Sequence, residues 1–305
     1  MIRRMRDGGI IPPFFVHTTL FGETPMKVTS PREISQLLKE NNLSPLKKFG
    51  QNFLCDENIV QKIADSIGLT DKDYVLEIGT GLGALTQALA ARAKKVVSVE
   101  IDKGLLALHA QTLAGFENVT VLEGDILKCD LSQICREQFE GKPFHVCGNL
   151  PYYITSKILM QVLESDAPAL SITAMVQKEV AERLSARPGD TDYGALTASC
   201  NYYTQPALLF TVSRNCFYPA PDVDSAILRL DLTHPCFDLP REQYAAVVRA
   251  AFAMRRKTIF NNLKEFCGNQ KAVLALDSCK IDPKTRAQDL SPEDFCCLAA
   301  SIFQD

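Results

Sequence analysis

Apolar residues recur in two rhythms along this 305-residue chain. Between residues 70 and 176, short and nearly continuous runs of Val, Ile and Leu alternate with helix-like stretches. YVLEI (74–78) leads through Gly81 into a helix ending near Ala93, and KVVSVE (95–100) precedes a helix from Lys103 to about Leu113. VTVLEGD (119–125), FHVCGN (144–149) and SITAMV (171–176) follow. Strands without polar alternation are buried on both faces, and strands separated by helices pair in parallel. The expected fold is therefore α/β, a parallel Rossmann-like sheet covered by helices. ALLFTV (207–212) and SAILRLDL (225–232) are spaced for an antiparallel pair at its edge.

Upstream, TSPREISQLLKENN offers Ser30 as a helix cap, Pro31 at the first helical position, and Ile34, Leu37 and Leu38 on one face. Residues 1–25 carry basic side chains, but Asp7 and Pro12-Pro13 spoil an amphipathic targeting helix, so a disordered extension is expected. SARPGDTDYG (185–194) reads as a mobile surface loop. After Pro235 and Pro240 the pattern is helical to the end. Three segments result: the extension 1–25, an α/β domain 26–236, and a small all-helical domain 237–305.

Composition narrows the function classes. No run approaches 18 apolar residues, so no transmembrane helix and no membrane partner are expected. Eleven cysteines without a CxxC pair fit reduced thiols and a cytoplasmic location. Histidines 17, 109, 145 and 234 are isolated, so no metal site is expected. A net charge of −3 makes no general case for a nucleic-acid partner, which must rest on local patches. One such patch is residues 241–264, with six basic residues against one acid. It includes Arg249 and the consecutive Arg255, Arg256 and Lys257, suited to phosphate contacts, although a solvated face is the ordinary reading of such a run. Lys47 and Lys48 offer a second basic contact. No heptad or dedicated dimer face is evident, and a monomer is expected.

Chemistry concentrates where the strands end. In LEIGTGLGALT (76–86), Gly79, Gly81 and Gly83 allow a tight turn and a close ligand approach. Gly79, Gly81 and Ala84 also satisfy a dinucleotide pattern with Glu100 at the ribose distance, so a nicotinamide or flavin enzyme competes. Asp125 adds a second carboxylate at the same sheet edge. One acid for a ribose diol and another for an adenine amine describe an S-adenosylmethionine pocket, whose ligand lacks a pyrophosphate. The bland alternative is that both acids merely cap turns. Asn149-Leu150-Pro151-Tyr152 then ends the fourth strand at that edge. A nucleobase amine is a poor nucleophile because its lone pair is delocalised. Accepting its protons on the Asn149 side chain and on a Leu150 carbonyl held by Pro151 draws the nitrogen toward tetrahedral geometry, while Tyr152 stacks on the base. Read blandly, the four residues are a turn and Tyr152 is core.

These motifs resemble the ribosomal RNA adenine N6-dimethyltransferases, and most closely the bacterial small-subunit branch, from about Lys47 to the C-terminus. KKFGQNFLCDENIV (47–60) resembles a motif whose Asn and Leu touch the cofactor, here Asn52 and Leu54. EIGTGLGALT resembles the cofactor loop with Gly79 and Gly81, Thr80 standing where the family commonly has proline. Glu100 with Ile101 and Asp125 with Ile126 match the ribose and adenine positions. NLPY matches the catalytic motif, Asn149 also reaching the cofactor. CFYPAPDVDSAILRL (216–230) resembles a segment whose aromatic, Phe217, would face Tyr152 across the adenine; on sequence alone Phe217 reads as core. AF…RRKT…NNL and KTRAQDLSPEDFCCLA (284–299) resemble C-terminal motifs of the small-subunit branch. The resemblance implies methyl transfer from S-adenosylmethionine, with S-adenosylhomocysteine as product, to two adjacent adenosines near the 3′ end of 16S rRNA in the small ribosomal subunit. It further implies N6,N6-dimethyladenosine as product and a role in subunit biogenesis. The rivals are a large-subunit rRNA adenine methyltransferase and a non-catalytic ribosome-assembly or transcription factor on the same fold.

Overall fold

A computed structural model describes residues 15–16, 26–233 and 237–304. Apart from Phe15 and Val16, the extension expected at 1–25 lies outside the described residues. The described strands, in chain order, are β1 (Phe15–Val16), β2 (Phe53–Leu54), β3 (Tyr74–Ile78), β4 (Lys95–Glu100), β5 (Val119–Glu123), β6 (Phe144–Asn149), β7 (Ala169–Gln177), β8 (Ala207–Val212), β9 (Phe217–Tyr218) and β10 (Ser225–Asp231). The chain forms two compact units. One runs to Ala169 and takes in Ser213–Asp222; the other joins Leu170–Val212 to everything from Val223 onward.

In the first unit β5, β4, β3 and β6 lie side by side and parallel, with β1 antiparallel on β5. Every residue of β3 is buried, and all of β4 except Lys95, as a strand covered on both faces requires. The approach of β6 to β3 depends on Gly148, where a Cβ would sit 2.4 Å from the Ile78 carbonyl oxygen. No side chain fits there. The helix Pro31–Glu40 starts at its cap, Ser30 Oγ accepting from the Glu33 N–H at 3.2 Å, and buries Ile34, Leu37 and Leu38.

The helix expected from Lys103 to Leu113 is instead two short ones, Lys103–Leu106 and His109–Thr112. Leu108 N–H reaches the Leu105 carbonyl and Gln111 N–H the Leu108 carbonyl. These three-residue bonds tighten the chain and interrupt the α repeat. β2 and β9 form a small antiparallel pair that sets Leu54 opposite Phe217.

In the second unit β10 pairs antiparallel with β7 and with β8, as expected for the last two strands. The segment 185–194 is exposed over 187–192, yet it is tied by Gly189 N–H to the Gln288 carbonyl at 2.9 Å and ends in a fully buried Tyr193. Helices Arg241–Ala251, Ile259–Cys267, Asn269–Ser278 and Pro292–Phe303 pack around Tyr244, Leu263, Leu276 and Phe295. The helical part starts after residue 236, whereas the compact unit that contains it reaches back to Leu170.

One expectation from composition is corrected. Cys279 and Cys297 are joined by a disulfide, because the end of one helix and the middle of another bring their Cα atoms to 5.8 Å. The other described cysteines are not disulfide-bonded. Among the described residues no helix is long and apolar enough to cross a membrane.

Candidate active site

The carboxyl ends of β3, β4, β5 and β6 surround a cavity of about 250 Å³ in the first unit. Its floor is the turn after β3. Gly81 has φ +56°, a left-handed conformation, and its N–H donates to Glu100 Oε2 at 2.9 Å. Glu100 Oε1 accepts from the Asp102 N–H at 2.8 Å. Glu100 is 5% exposed, and burial pushes its carboxyl above the usual range, with those two N–H groups pulling it back. Thr80, the departure from proline, anchors the turn through a buried 2.7 Å hydrogen bond between its hydroxyl and that of Ser98.

Asp125 does what the bland reading says and more. Its Oδ1 accepts from the Leu127 N–H at 3.1 Å, capping the 3-10 turn Ile126–Lys128, and Lys128 Nζ lies 3.6 Å from its Oδ2. Asp125 also lines the cavity, with Ile126 and Ile101, the latter 42% exposed. Glu100 and Asp125 therefore share one opening with apolar walls.

The Asn52 and Asn149 segments, 97 residues apart in sequence, meet at the cavity. Asn149 Nδ2 donates to the Asn52 carbonyl at 2.9 Å. With one of its two N–H donors so engaged, the Asn149 amide keeps Oδ1 as its acceptor. The loop beyond is held by the Pro151 carbonyl, which accepts from Ile154 N–H at 3.1 Å and from Thr155 Oγ1 at 3.0 Å. Asn52, Leu54, Gly79, Gly81, Glu100, Asn149 and Pro151 all line the cavity.

Leu150, Tyr152 and Phe217 are not in its wall. Leu150 is 2% and Phe217 4% exposed, Phe217 being set beside Leu54 by the β2–β9 pairing. Tyr152 is half-buried in the turn Tyr152–Ile154. Lys48 is exposed, its Nζ 4.6 Å from the Phe49 ring centre, and Lys47 belongs to the same 3-10 turn. Arg249, Arg255, Arg256 and Lys257 are exposed on the second unit. The last three lie between two helices. Buried Asn262 shapes that turn by donating to the Ala251 and Met254 carbonyls at 2.7 and 3.3 Å.

Three residues of the site escaped the sequence reading. Tyr153, 60% exposed, lines the cavity next to Tyr152, and adjacent tyrosines give no periodic signal to separate them. Gln51 links the Leu46 N–H to Asp102 Oδ2 through bonds of 2.7 and 2.6 Å. Glu77 lines the cavity, is fully buried, and accepts from Thr86 Oγ1 at 2.6 Å. Burial pushes its carboxyl up to about 8, the Thr86 and Ser98 hydroxyls opposing this only in part. An acid within an apolar strand was the available signal.

Known proteins match this arrangement. A family model for ribosomal RNA adenine dimethylase covers residues 43–304. Ribosomal RNA small subunit methyltransferase A of Geobacillus thermodenitrificans (strain NG80-2) is 42% identical over 284 residues, 90% of this chain and 97% of that protein. Its namesake in Shouchella clausii (strain KSM-K16) is 40% identical over 283 residues, 90% and 96% of the two chains. The crystal structure of a dimethyladenosine transferase from Plasmodium falciparum superposes with a TM-score of 0.67 at 28% identity, covering 79% of this chain and 94% of that one. The 23S rRNA methyltransferase ErmE gives 0.66 at 30%, covering 83% and 100%. On motif, fold and length alike, the chain belongs to the ribosomal RNA adenine dimethylase family.

Proposed function

We propose that this chain transfers methyl groups from S-adenosylmethionine to N6 of two adjacent adenosines near the 3′ end of small-subunit rRNA, giving N6,N6-dimethyladenosine. The observation that carries the reading is the Asn149 amide, fixed by the Asn52 carbonyl at the edge of a cavity that also holds Glu100 and Asp125. The residues fit the cofactor: Glu100 for the ribose hydroxyls, Asp125 and Ile126 for the adenine, Ile101 against its face. Gly79, Gly81, Asn52 and Leu54 complete the wall. When bound, S-adenosylmethionine supplies an electrophilic sulfonium methyl group and leaves as S-adenosylhomocysteine.

The chain's own part is positioning. Asn149 Oδ1 and the Leu150 carbonyl accept the amine protons, so the nitrogen lone pair is freed from the ring and directed for in-line attack. Pro151 keeps Leu150 extended. Tyr152 stacks on the flipped adenine and Phe217 closes the opposite side. No strong base is needed, since an alkylated amine sheds its proton readily.

In the same proposal, residues 26–236 carry catalysis and 237–305 carry RNA binding, the enzyme acts as a cytoplasmic monomer, and its partner is the small ribosomal subunit. Lys47, Lys48, Arg249, Arg255, Arg256 and Lys257 contact phosphates. Reversing two of these charges, Arg255→Glu with Arg256→Glu, is expected to weaken subunit binding about 10- to 100-fold at low salt, with a shallower salt slope, and to leave cofactor affinity alone. Filter binding across a salt series reads this; equal affinity of variant and parent would remove the patch from RNA contact.

Substrate choice is tested by offering labelled S-adenosylmethionine with small and large subunits from cells lacking these modifications. Label in the small subunit alone supports the proposal. Label in the large subunit moves the protein to the large-subunit branch, which the likeness to the 23S rRNA enzyme keeps as the second reading. Binding without label leaves a non-catalytic factor.

A further inference from the structure

The helix Thr155–Leu163 begins directly beyond Asn149–Tyr152, and two turns along it stands Gln161. Its Nε2 donates to two carbonyls, Ile126 at 2.8 Å and Cys129 at 3.2 Å. Those carbonyls bracket the 3-10 turn Ile126–Lys128, whose Ile126 and Leu127 line the cavity beside Asp125. Ile158, one turn before Gln161 on the same helix face, lines the cavity too. Gln161 itself is not in the cavity wall. Its Oε1 is buried without a hydrogen-bond partner among the described residues, so the side chain is used only as a donor.

We infer that Gln161 is a positioning residue for the adenine side of the cofactor cavity. It pins the turn that carries Asp125 and Ile126 to the helix that follows the catalytic loop. The inference rests on reading this cavity as the cofactor's. A short 3-10 turn has few internal bonds to hold its shape, so two donated bonds from outside decide where its side chains sit. Losing them takes a donor from the part-buried Cys129 carbonyl, leaves the Ile126 carbonyl only the Cys129 N–H at 3.1 Å, and lets the turn relax.

The test compares wild type, Gln161→Leu and Gln161→Lys by calorimetric titration with S-adenosylhomocysteine and, separately, with adenosine. Lysine keeps a donor on a longer, charged side chain and dispenses with the acceptor that has no partner. Gln161→Leu is expected to weaken both ligands by the same factor, about tenfold, with kcat at saturating cofactor within roughly twofold of wild type. Gln161→Lys is expected to recover most of the loss. Unchanged affinity in Gln161→Leu, or Gln161→Lys binding as poorly as Gln161→Leu, overturns the inference, since a loss of shape alone would not distinguish the two. Should Gln161→Leu not fold, Gln161→Glu has nearly the same shape without the donors and is expected to show the same loss. A wild type that binds neither ligand would instead overturn the cofactor reading of the cavity.

Discussion

Asn149→Ala is expected to lower methyl transfer by about 10²- to 10³-fold while S-adenosylhomocysteine binds within roughly threefold of wild type. The asymmetry follows from the geometry. Asn149 is one residue among many in the cavity wall, so its loss costs little ground-state contact with the cofactor. In the proposed mechanism its carbonyl oxygen accepts the amine protons, and the amine's change of geometry occurs only on the way to the transition state. The bond to the Asn52 carbonyl also makes a prediction about Asn149→Asp. A carboxylate cannot donate to that carbonyl, so the acid variant loses its fixed orientation and stays impaired although it keeps acceptor oxygens. Single-turnover rates beside calorimetry separate the two effects. An alanine variant that turns over like the parent would remove Asn149 from catalysis.

The second large effect is on stability. Glu77 titrates near 8 in the fold instead of at its ordinary 4.5, because burial disfavours its charged form. Below the ordinary value both folded and unfolded chains hold the proton, and Glu77 costs nothing. As pH rises toward 8 the unfolded chain releases the proton while the folded chain keeps it, and stability falls. Above 8 the loss is complete and constant. At about 1.4 kcal/mol per pK unit the loss across this window amounts to several kcal/mol. Glu77→Gln keeps the shape and an acceptor for Thr86 without the charge. Urea denaturation of both proteins from pH 4.5 to 8.5 should show the variant's advantage growing with pH, then levelling. Parallel profiles would mean that the buried carboxyl is stabilised in its charged form.

Much of this architecture was legible because burial on both faces writes itself into composition. The runs that became β3 to β6 are apolar at nearly every position, and a ligand edge follows once they are parallel. Glu100 and Asp125 stood out as acids at the ends of such runs. Capping chemistry was equally local: Ser30 and Pro31 announce their helix within four residues. What stayed hidden depends on partners far apart in the chain. Nothing in a window around Gln161 says that Ile126 and Cys129 lie beneath it, and nothing around Gln51 points to Asp102. The break at Leu108 arises from three-residue hydrogen bonds that an apolar pattern cannot register. The Cys279–Cys297 bridge likewise needs two helices to be packed before their spacing is known. For Tyr152 and Phe217, spacing and resemblance named aromatics, while the structure sets Tyr153 in the cavity wall.

The most direct measurement of the central claim is the chemical identity of the product. Unmodified small subunits are incubated with S-adenosylmethionine bearing a deuterated methyl group. The rRNA is then digested to nucleosides and resolved by mass. The proposed function predicts N6,N6-dimethyladenosine with two labelled methyl groups, preceded at short times by N6-methyladenosine. Label confined to a ribose hydroxyl, a ring nitrogen or a carbon would contradict it, because nothing at Asn149-Leu150 is built to activate those atoms.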